Sequence, residues 1–228
     1  MTLALKYPMH MDVQKTLTTS SQQSDETLML AYAQNNDETA FAELYGRYKQ
    51  SLYRYCIRML SDEGLGADVY QETWSKVIKA REKYQVKAKF KTYIFHIAHN
   101  LIIDAWRKRS SQGEKLEFVS IDDDKDDSAN IELESNANIF AEIQSEEQLI
   151  QFKLALEQLP PEQRDAVLLH YEHGLTLQQI ADMEELGRET IKSRLRYAVK
   201  KLKILIAGMN DVSQLSDISS LKTQEVKT

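Results

Sequence analysis

Residues 175–195 read LTLQQIADMEELGRETIKSRL, and the organisation of the chain follows from this stretch. Thr176 is placed to cap a short helix reaching Met183. Glu184 to Gly187 form a tight connection, and a longer basic helix then runs to about Ile206. A capped short helix, a tight turn and a longer basic helix are the layout of a helix-turn-helix. At 100° per residue, Ile191, Leu195, Ala198 and Leu202 share one side of the second helix. Glu189, Ser193, Arg196 and Lys200 share the other, flanked by Lys192 and Lys203. Lys and Arg can donate to guanine O6 and N7 or to phosphates, and Ser serves either partner, so duplex DNA is the functional reading. An ordinary solvated helix face gives the same projection.

Working outward, Gln148 to Leu159 has helical spacing. Pro160 and Pro161 stop that helix and start the next, Glu162 to Glu172, which Gly174 ends. On the amino-terminal side, Phe41, Leu44, Tyr45, Tyr48, Leu52, Tyr55 and Met59 recur at three- and four-residue steps along one long helix. Ser61 to Gly66 ends it. Ala67 to Arg81 and Thr92 to Lys108 are two further helices, and order begins near Asp25. The chain has 228 residues, 42% hydrophobic and 28% charged, with only 7 Gly and 3 Pro, a globular composition poor in helix breakers. The expected fold is all-α, with two small helical domains joined by a flexible acidic linker. The boundaries are a flexible tail over 1–24, a helical domain over 25–112, the linker over 113–147, a helix-turn-helix domain over 148–207 and a flexible tail over 208–228.

The net charge of −6 is unevenly spread. Residues 114–147 hold twelve acids against Lys115 and Lys125, a net −10. By contrast, Tyr84 to Arg109 carries +5 and Arg188 to Lys203 carries +6, so an acidic belt separates two basic patches. Within the first patch, Ile94, Ala98, Leu101 and Ala105 cluster on a core side. Tyr93, His96, Asn100 and Arg107 share the opposite side, followed by Lys108 and Arg109. An aromatic ring, an amide and cations on one surface suit unpaired bases, which are held by stacking and by edges a duplex hides. A solvated face with one exposed Tyr reads the same way.

Other chemistries find little support. His96 and His99, and His170 and His173, lack the His-Glu-x-x-His order of zinc hydrolases. Asp122, Asp124 and Asp126 begin like a calcium loop, but Asp127 and Leu133 stand where its Gly and closing Glu belong. There is no phosphate-cradling Gly loop and no nucleophile with a base nearby in sequence. No metal, no cofactor and no enzymatic activity are expected. Cys56 reads as a small buried apolar residue, and Tyr45, Tyr48 and Tyr55 read as core. Met1 to Asp12 lacks a secretory pattern and no apolar run approaches the ~18 residues of a membrane span. A cytoplasmic protein without direct membrane insertion is expected.

The strings Phe41-Ala-Glu-Leu-Tyr-Gly-Arg-Tyr48, Ala67-Asp-Val-Tyr-Gln-Glu-Thr-Trp74 and Phe90 to Arg109 resemble region 2 of the extracytoplasmic-function (ECF) sigma factors of the sigma-70 family. Leu159-Pro-Pro-Glu-Gln-Arg164, Leu175 to Ala181 and Gly187 to Leu195 resemble their region 4. The resemblance covers about 170 residues and implies a transcription initiation subunit that binds core RNA polymerase, recognises minus-35 and minus-10 promoter elements and helps melt DNA. It implies polymerase docking through Asp68, Gln71 and Glu72, which form one polar helix edge. It places the single-stranded minus-10 element against Tyr93, His96, Asn100, Arg107 and Lys108. It places the duplex minus-35 element against Arg188, Thr190, Lys192, Ser193, Arg196 and Lys200. An anti-sigma factor, often membrane-anchored in the family, is the implied regulator. The family turn usually has Gly where this chain has Glu185, which leaves Gly187 as the candidate for the strained conformation. The alternative reading is a two-domain operator-binding regulator that uses only the helix-turn-helix and is independent of core polymerase. A third, an enzyme fused to a DNA-binding tail, lacks any acid-base or metal constellation in the first half.

Overall fold

The computed structural model describes residues 23–111 and 145–225, with side chains as far as Met209. Nearly all of the expected amino-terminal tail and acidic linker therefore lies outside the described residues. Among the described residues, all regular structure is helical.

Helix α1 (Asp25–Asn35) starts where Ser24 Oγ accepts from the Thr27 N–H at 3.2 Å, satisfying one of the free donors of a helix start. Helix α2 (Glu38–Leu60) starts on the Asp37 carboxylate, which accepts from Thr39 and Ala40 at 3.0 and 3.1 Å. It buries Leu44, Leu52, Tyr55 and Met59, as its apolar spacing requires. Helix α3 (Glu63–Lys79) begins four residues earlier than the periodicity predicts, because Asp62 caps it through the Leu65 N–H. The expected break over 61–66 shrinks to Ser61 and Asp62. Gly66 lies inside α3 against α2: a Cβ there would sit 2.5 Å from Ile57 Cδ1 and 3.0 Å from Ile57 Cα. Two helices crossing this closely leave no room for a side chain.

Helix α4 (Phe90–Ser111) takes its amino-terminal partner from elsewhere in the chain: Glu26 Oε1 of α1 accepts the Phe90 N–H at 2.7 Å. A carboxylate at this end also suits the helix dipole. Besides Ile94, Ala98 and Ala105, α4 buries Phe95, His99, Ile102 and Trp106, so two adjacent faces are covered.

In the carboxy-terminal half, α5 (Glu146–Glu157) opens on a capping box between Ser145 and Gln148. Helix α6 (Pro161–Val167) has Pro at its first position and passes into a π turn over Leu168–Glu172. Helices α7 (Leu177–Glu184) and α8 (Arg188–Glu225) follow. The α8 backbone continues well beyond the expected end near Ile206, so the segment taken as a flexible tail is helical as far as Glu225. Gly208 lies within it without ending it; an exposed helical Gly costs only about 1 kcal/mol.

The halves meet along a seam where α6 and the π turn face α2 and α4. The Asp165 carboxylate accepts from the Tyr55 hydroxyl at 2.6 Å and from His99 Nδ1 at 2.7 Å. Glu172 pairs with Arg54 at 3.1 Å and with Arg58. The Lys91 ammonium donates to the His173 carbonyl at 2.8 Å. Arg164 donates to the carbonyls of Arg58, Met59, Glu157 and Leu159 and to Ser61 Oγ. One guanidinium thus fills the unsatisfied carbonyl ends of both α2 and α5.

His173 is wedged into this seam, stacked on Phe95 at 4.3 Å and edge-on to Tyr55 at 5.5 Å. Burial, reinforced by the charges of Arg54, Lys91 and Arg58, drives its imidazole down to about 3. A histidine depressed below its ordinary 6.5 contributes stability that is present above that value and lost as pH falls through it. His99 and Glu184 shift the other way, so the effect is isolated by difference. The stability of the parent minus that of His173→Phe, from urea midpoints, is expected to fall between about pH 6.5 and pH 4.5. A difference that stays constant over that range would contradict neutral burial.

Candidate nucleic-acid interface

On α4, His96, Asn100, Arg107 and Lys108 are exposed, as their shared face predicts. Tyr93 is half-buried: its ring packs 5.4 Å from Tyr84 and 6.0 Å from Phe90. Tyr93 and His96 line a cavity of about 340 Å³ with Lys83, Tyr84, Lys87 and Thr92, within the size range of small-ligand sites. Asn100 lies one turn beyond it, and Arg107 lies roughly 10 Å further along the helix. Burial, and then the charge of His99, hold the His96 imidazole below its ordinary value. A neutral ring beside two lysines can donate and accept while the ammonium groups face a phosphate. Tyr84, Lys83 and Lys87 were not singled out in the sequence, because they sit in the irregular stretch before α4, where no period marks them.

The helix-turn-helix forms from its own chemistry. Thr176 and Gln179 make a reciprocal capping box on α7, and the Leu186 N–H closes the turn on the Ala181 carbonyl at 2.9 Å. Glu185 itself adopts the left-handed conformation, at φ 57°. This corrects the expectation for Gly187, since the strain falls where the family has its glycine. On α8, Ile191, Leu195, Ala198 and Leu202 are fully buried. Arg188, Thr190, Lys192 and Lys200 are exposed, and Ser193 and Arg196 are half-exposed. The Arg196 guanidinium lies 5.2 Å from the Tyr197 ring. Arg194 faces inward to pair with Glu184, so one of the seven cations between Arg188 and Lys203 is internal. Burial and the Asp165 charge raise the Glu184 carboxyl to about 7.

Asp68, Gln71 and Glu72 are exposed together on α3. An aromatic shelf spans α2 and α3: Tyr45 of α2 packs 4.9 Å from Trp74 of α3, and Tyr70 donates to the Tyr45 hydroxyl at 2.9 Å. Tyr48 and Tyr55 are core residues, but Tyr45 is 36% exposed, correcting its placement in the core. It lies at the rim of the helix pair, where its hydroxyl reaches Tyr70. Cys56 is fully buried, and burial pushes its thiol up to about 12, so it behaves as a small apolar residue.

The paired histidines do not converge. His99 is engaged by Asp165, and His170 donates to the Leu175 carbonyl at 2.8 Å. No group of three or more His, Cys, Asp or Glu residues is placed to hold a metal among the described residues. None of the described helices is long and apolar enough to cross a membrane.

A helical bundle with an exposed amide, imidazole and cations on one helix, joined to a helix-turn-helix, presents two surfaces suited to nucleic acid. The family description Sigma-70 region 2 matches residues 44–112, and Sigma-70, region 4 matches residues 155–203. The chain belongs to the sigma-70 family. It is 26% identical over 175 residues to "ECF RNA polymerase sigma factor SigW" of Bacillus subtilis, covering 72% of this chain and 89% of that protein. SigM of the same organism is 29% identical over 174 residues, covering 74% and 97%. SigL of Mycobacterium tuberculosis is 29% identical over 164 residues, covering 72% and 86%.

The fold is shared with two solved structures. RpoE, crystallised with the anti-sigma factor NepR from Bartonella quintana, has a TM-score of 0.54 at 23% identity, covering 73% of this chain and 96% of that one. CnrH, in complex with the cytosolic domain of CnrY, has a TM-score of 0.56 at 18% identity, covering 81% and 99%.

Proposed function

We infer that this chain is a sigma factor that binds core RNA polymerase and brings it to promoters by reading a minus-35 element as duplex and a minus-10 element as single strand. The observation that carries the reading is the presence, in one chain and in family order, of the α4 face and the α7–α8 helix-turn-helix. The operator-binding alternative leaves the α4 face and the exposed α3 edge without a role. Members of the family are initiation factors, and the reading assigns the chain no catalytic step of its own. A gel shift separates the two readings: the sigma factor needs purified core polymerase for stable promoter binding, whereas an operator-binding regulator shifts its DNA alone.

Within this reading, Asp68, Gln71 and Glu72 dock on polymerase, and Tyr93, His96 and Asn100 receive an unstacked base while Arg107 and Lys108 track its phosphates. Asn100→Ala is expected to spare core binding yet weaken open-complex formation on both duplex and pre-melted templates. Full activity on both templates would remove Asn100 from the site.

Arg188, Thr190, Lys192, Ser193, Arg196 and Lys200 form the duplex-reading face. Arg196 is central on it and is assigned to a base edge, while Lys200 is assigned to phosphate. Arg196→Ala should relax specificity by about 1 to 3 kcal/mol at one promoter position. Equal weakening on cognate and scrambled minus-35 sites would make it a phosphate contact.

A protein regulator of the anti-sigma kind is part of the same proposal, supported by the fold shared with the sigma factor RpoE, solved with the anti-sigma factor NepR. Co-purification with the chromosomally tagged chain would identify it.

A further inference from the structure

A larger cavity, of about 490 Å³, lies between α2, the turn into α3 and α5, and neither nucleic-acid face uses it. Tyr53 and Ile57 of α2 and Leu149 and Leu156 of α5 supply its apolar lining. The charged side chains around them balance. Arg54, Arg58 and Lys153 stand against Asp62, Glu63 and Glu157, and Glu172 already holds both arginines. A rim of this kind draws neither an anion nor a cation, so an occupant is recognised by apolar contact. A dry apolar hole of about 150 Å³ takes one benzene ring, and this cavity has room for a phenyl ring with aliphatic neighbours. The apolar surface also continues outward along α5. Ile150 and Leu154, one position round the helix from Leu149 and Lys153, are 51% and 48% exposed.

The chain supplies a fitting occupant beside it. Residues 112–144 end at Ser145, the cap of α5. Most of that stretch is acidic, but residues 135–141, SNANIFA, carry no charge, and Ile139, Phe140 and Ile143 put three large apolar side chains together. An uncharged segment with one aromatic ring matches an apolar cavity whose rim is balanced in sign. Phe140 stands five residues before Ser145, a reach of about 17 Å. Leu149 and Lys153 lie only about 6 and 12 Å along the helix from that cap. A tether this short holds the ring at an effective concentration in the mM range, so a modest apolar contact seats it. Phe118, the other aromatic residue of 112–144, is 27 residues from Ser145, and its effective concentration at the cavity is lower.

We propose that this cavity binds the chain's own segment 139–143, with the Phe140 ring against Tyr53, Ile57, Leu149 and Leu156 and the flanking isoleucines over Ile150 and Leu154. The site ties the end of the linker to α2 and leaves residues 112–138 as the tether between the two units. It is a property of this chain alone and stands whether or not the sigma-factor reading does.

The test puts the photo-crosslinker p-benzoylphenylalanine in place of Phe140 in the full-length chain, irradiates it in dilute solution and maps the crosslinked peptides by mass spectrometry. Attachment to α2 between Tyr53 and Arg58 is decisive, because α5 adjoins the segment in sequence and crosslinks by proximity alone. The major product is expected to be an intramolecular crosslink to α2, roughly fivefold or more above the yield from the same group at position 118. Ile150→Ser with Leu154→Ser, both at exposed positions, should cut that yield while circular dichroism shows that the helices persist. Hydrogen exchange measures the same contact without the bulky label. Phe140→Ser should speed exchange of the α5 amides over 149–156 by roughly fivefold or more. Phe140→Leu should keep most of the protection, and Phe118→Ser should leave it unchanged. Crosslinks that miss α2, a yield unmoved by the serine pair, or unchanged α5 exchange in Phe140→Ser each overturn the proposal. A crosslinked dimer as the major product overturns it too, and makes a second copy of the chain the occupant.

Discussion

Replacing Arg164 with Ala is expected to destabilise the folded chain by about 3 to 5 kcal/mol, since each buried acceptor left without a donor costs about 1 to 3 kcal/mol and water recovers part of the loss. The guanidinium is 8% exposed and donates to four carbonyls and one hydroxyl, drawn from the ends of α2 and α5 and the start of the α2–α3 turn. Arg164→Lys should recover only a fraction, because an ammonium offers three donors from one point and cannot span two helix ends as a planar fork does. Urea denaturation of the full chain measures both. A loss below about 1 kcal/mol for Arg164→Ala would mean that water replaces the guanidinium almost completely.

The second large effect is expected at the polymerase interface. Changing Asp68, Gln71 and Glu72 together to Ala should weaken binding to core polymerase by about 2 kcal/mol or more, roughly 30-fold, as for polar hot spots in protein interfaces. All three side chains are exposed on α3 and make no hydrogen bond to the rest of the chain among the described residues. The melting temperature should therefore stay within a few degrees of the parent. Unchanged core affinity at an unchanged melting temperature would move the docking surface elsewhere, with the adjacent Tyr45, Tyr70 and Trp74 shelf as the next place to look.

Much of the helix-turn-helix was legible because its determinants are local. Thr176 caps its own helix, the apolar steps from Ile191 to Leu202 fix the buried side of α8, and the exposed basic face is what remains. The α3 edge was legible for the same reason: three polar residues at three- and four-residue steps must share a surface. What escaped depends on partners distant in sequence. His99 looks polar and unremarkable beside Asn100, yet Asp165, sixty-six residues away, draws it inside. A warning was present in Phe95, Ile102 and Trp106, which with His99 trace a second stripe along α4. Arg164 was visible as part of a motif, but the carbonyls that it satisfies lie at the ends of two other helices, α2 and α5. The start of α3 was misplaced because Gly64 and Gly66 signal a break by propensity, whereas Gly66 is the residue that lets α3 cross α2 at Ile57. Tyr45 shares the spacing of Tyr48 and Tyr55, and spacing alone does not show that its end of the stripe emerges at the rim of the bundle.

In the proposed function this one chain gives core polymerase its promoter. Run-off transcription tests it directly, using purified core polymerase and genomic fragments recovered by crosslinking to the tagged chain. The account predicts discrete run-off products only when core and this chain are both present, and their loss with Asn100→Ala. Binding of the chain to the same fragments without core, with no core-dependent transcript, would contradict it.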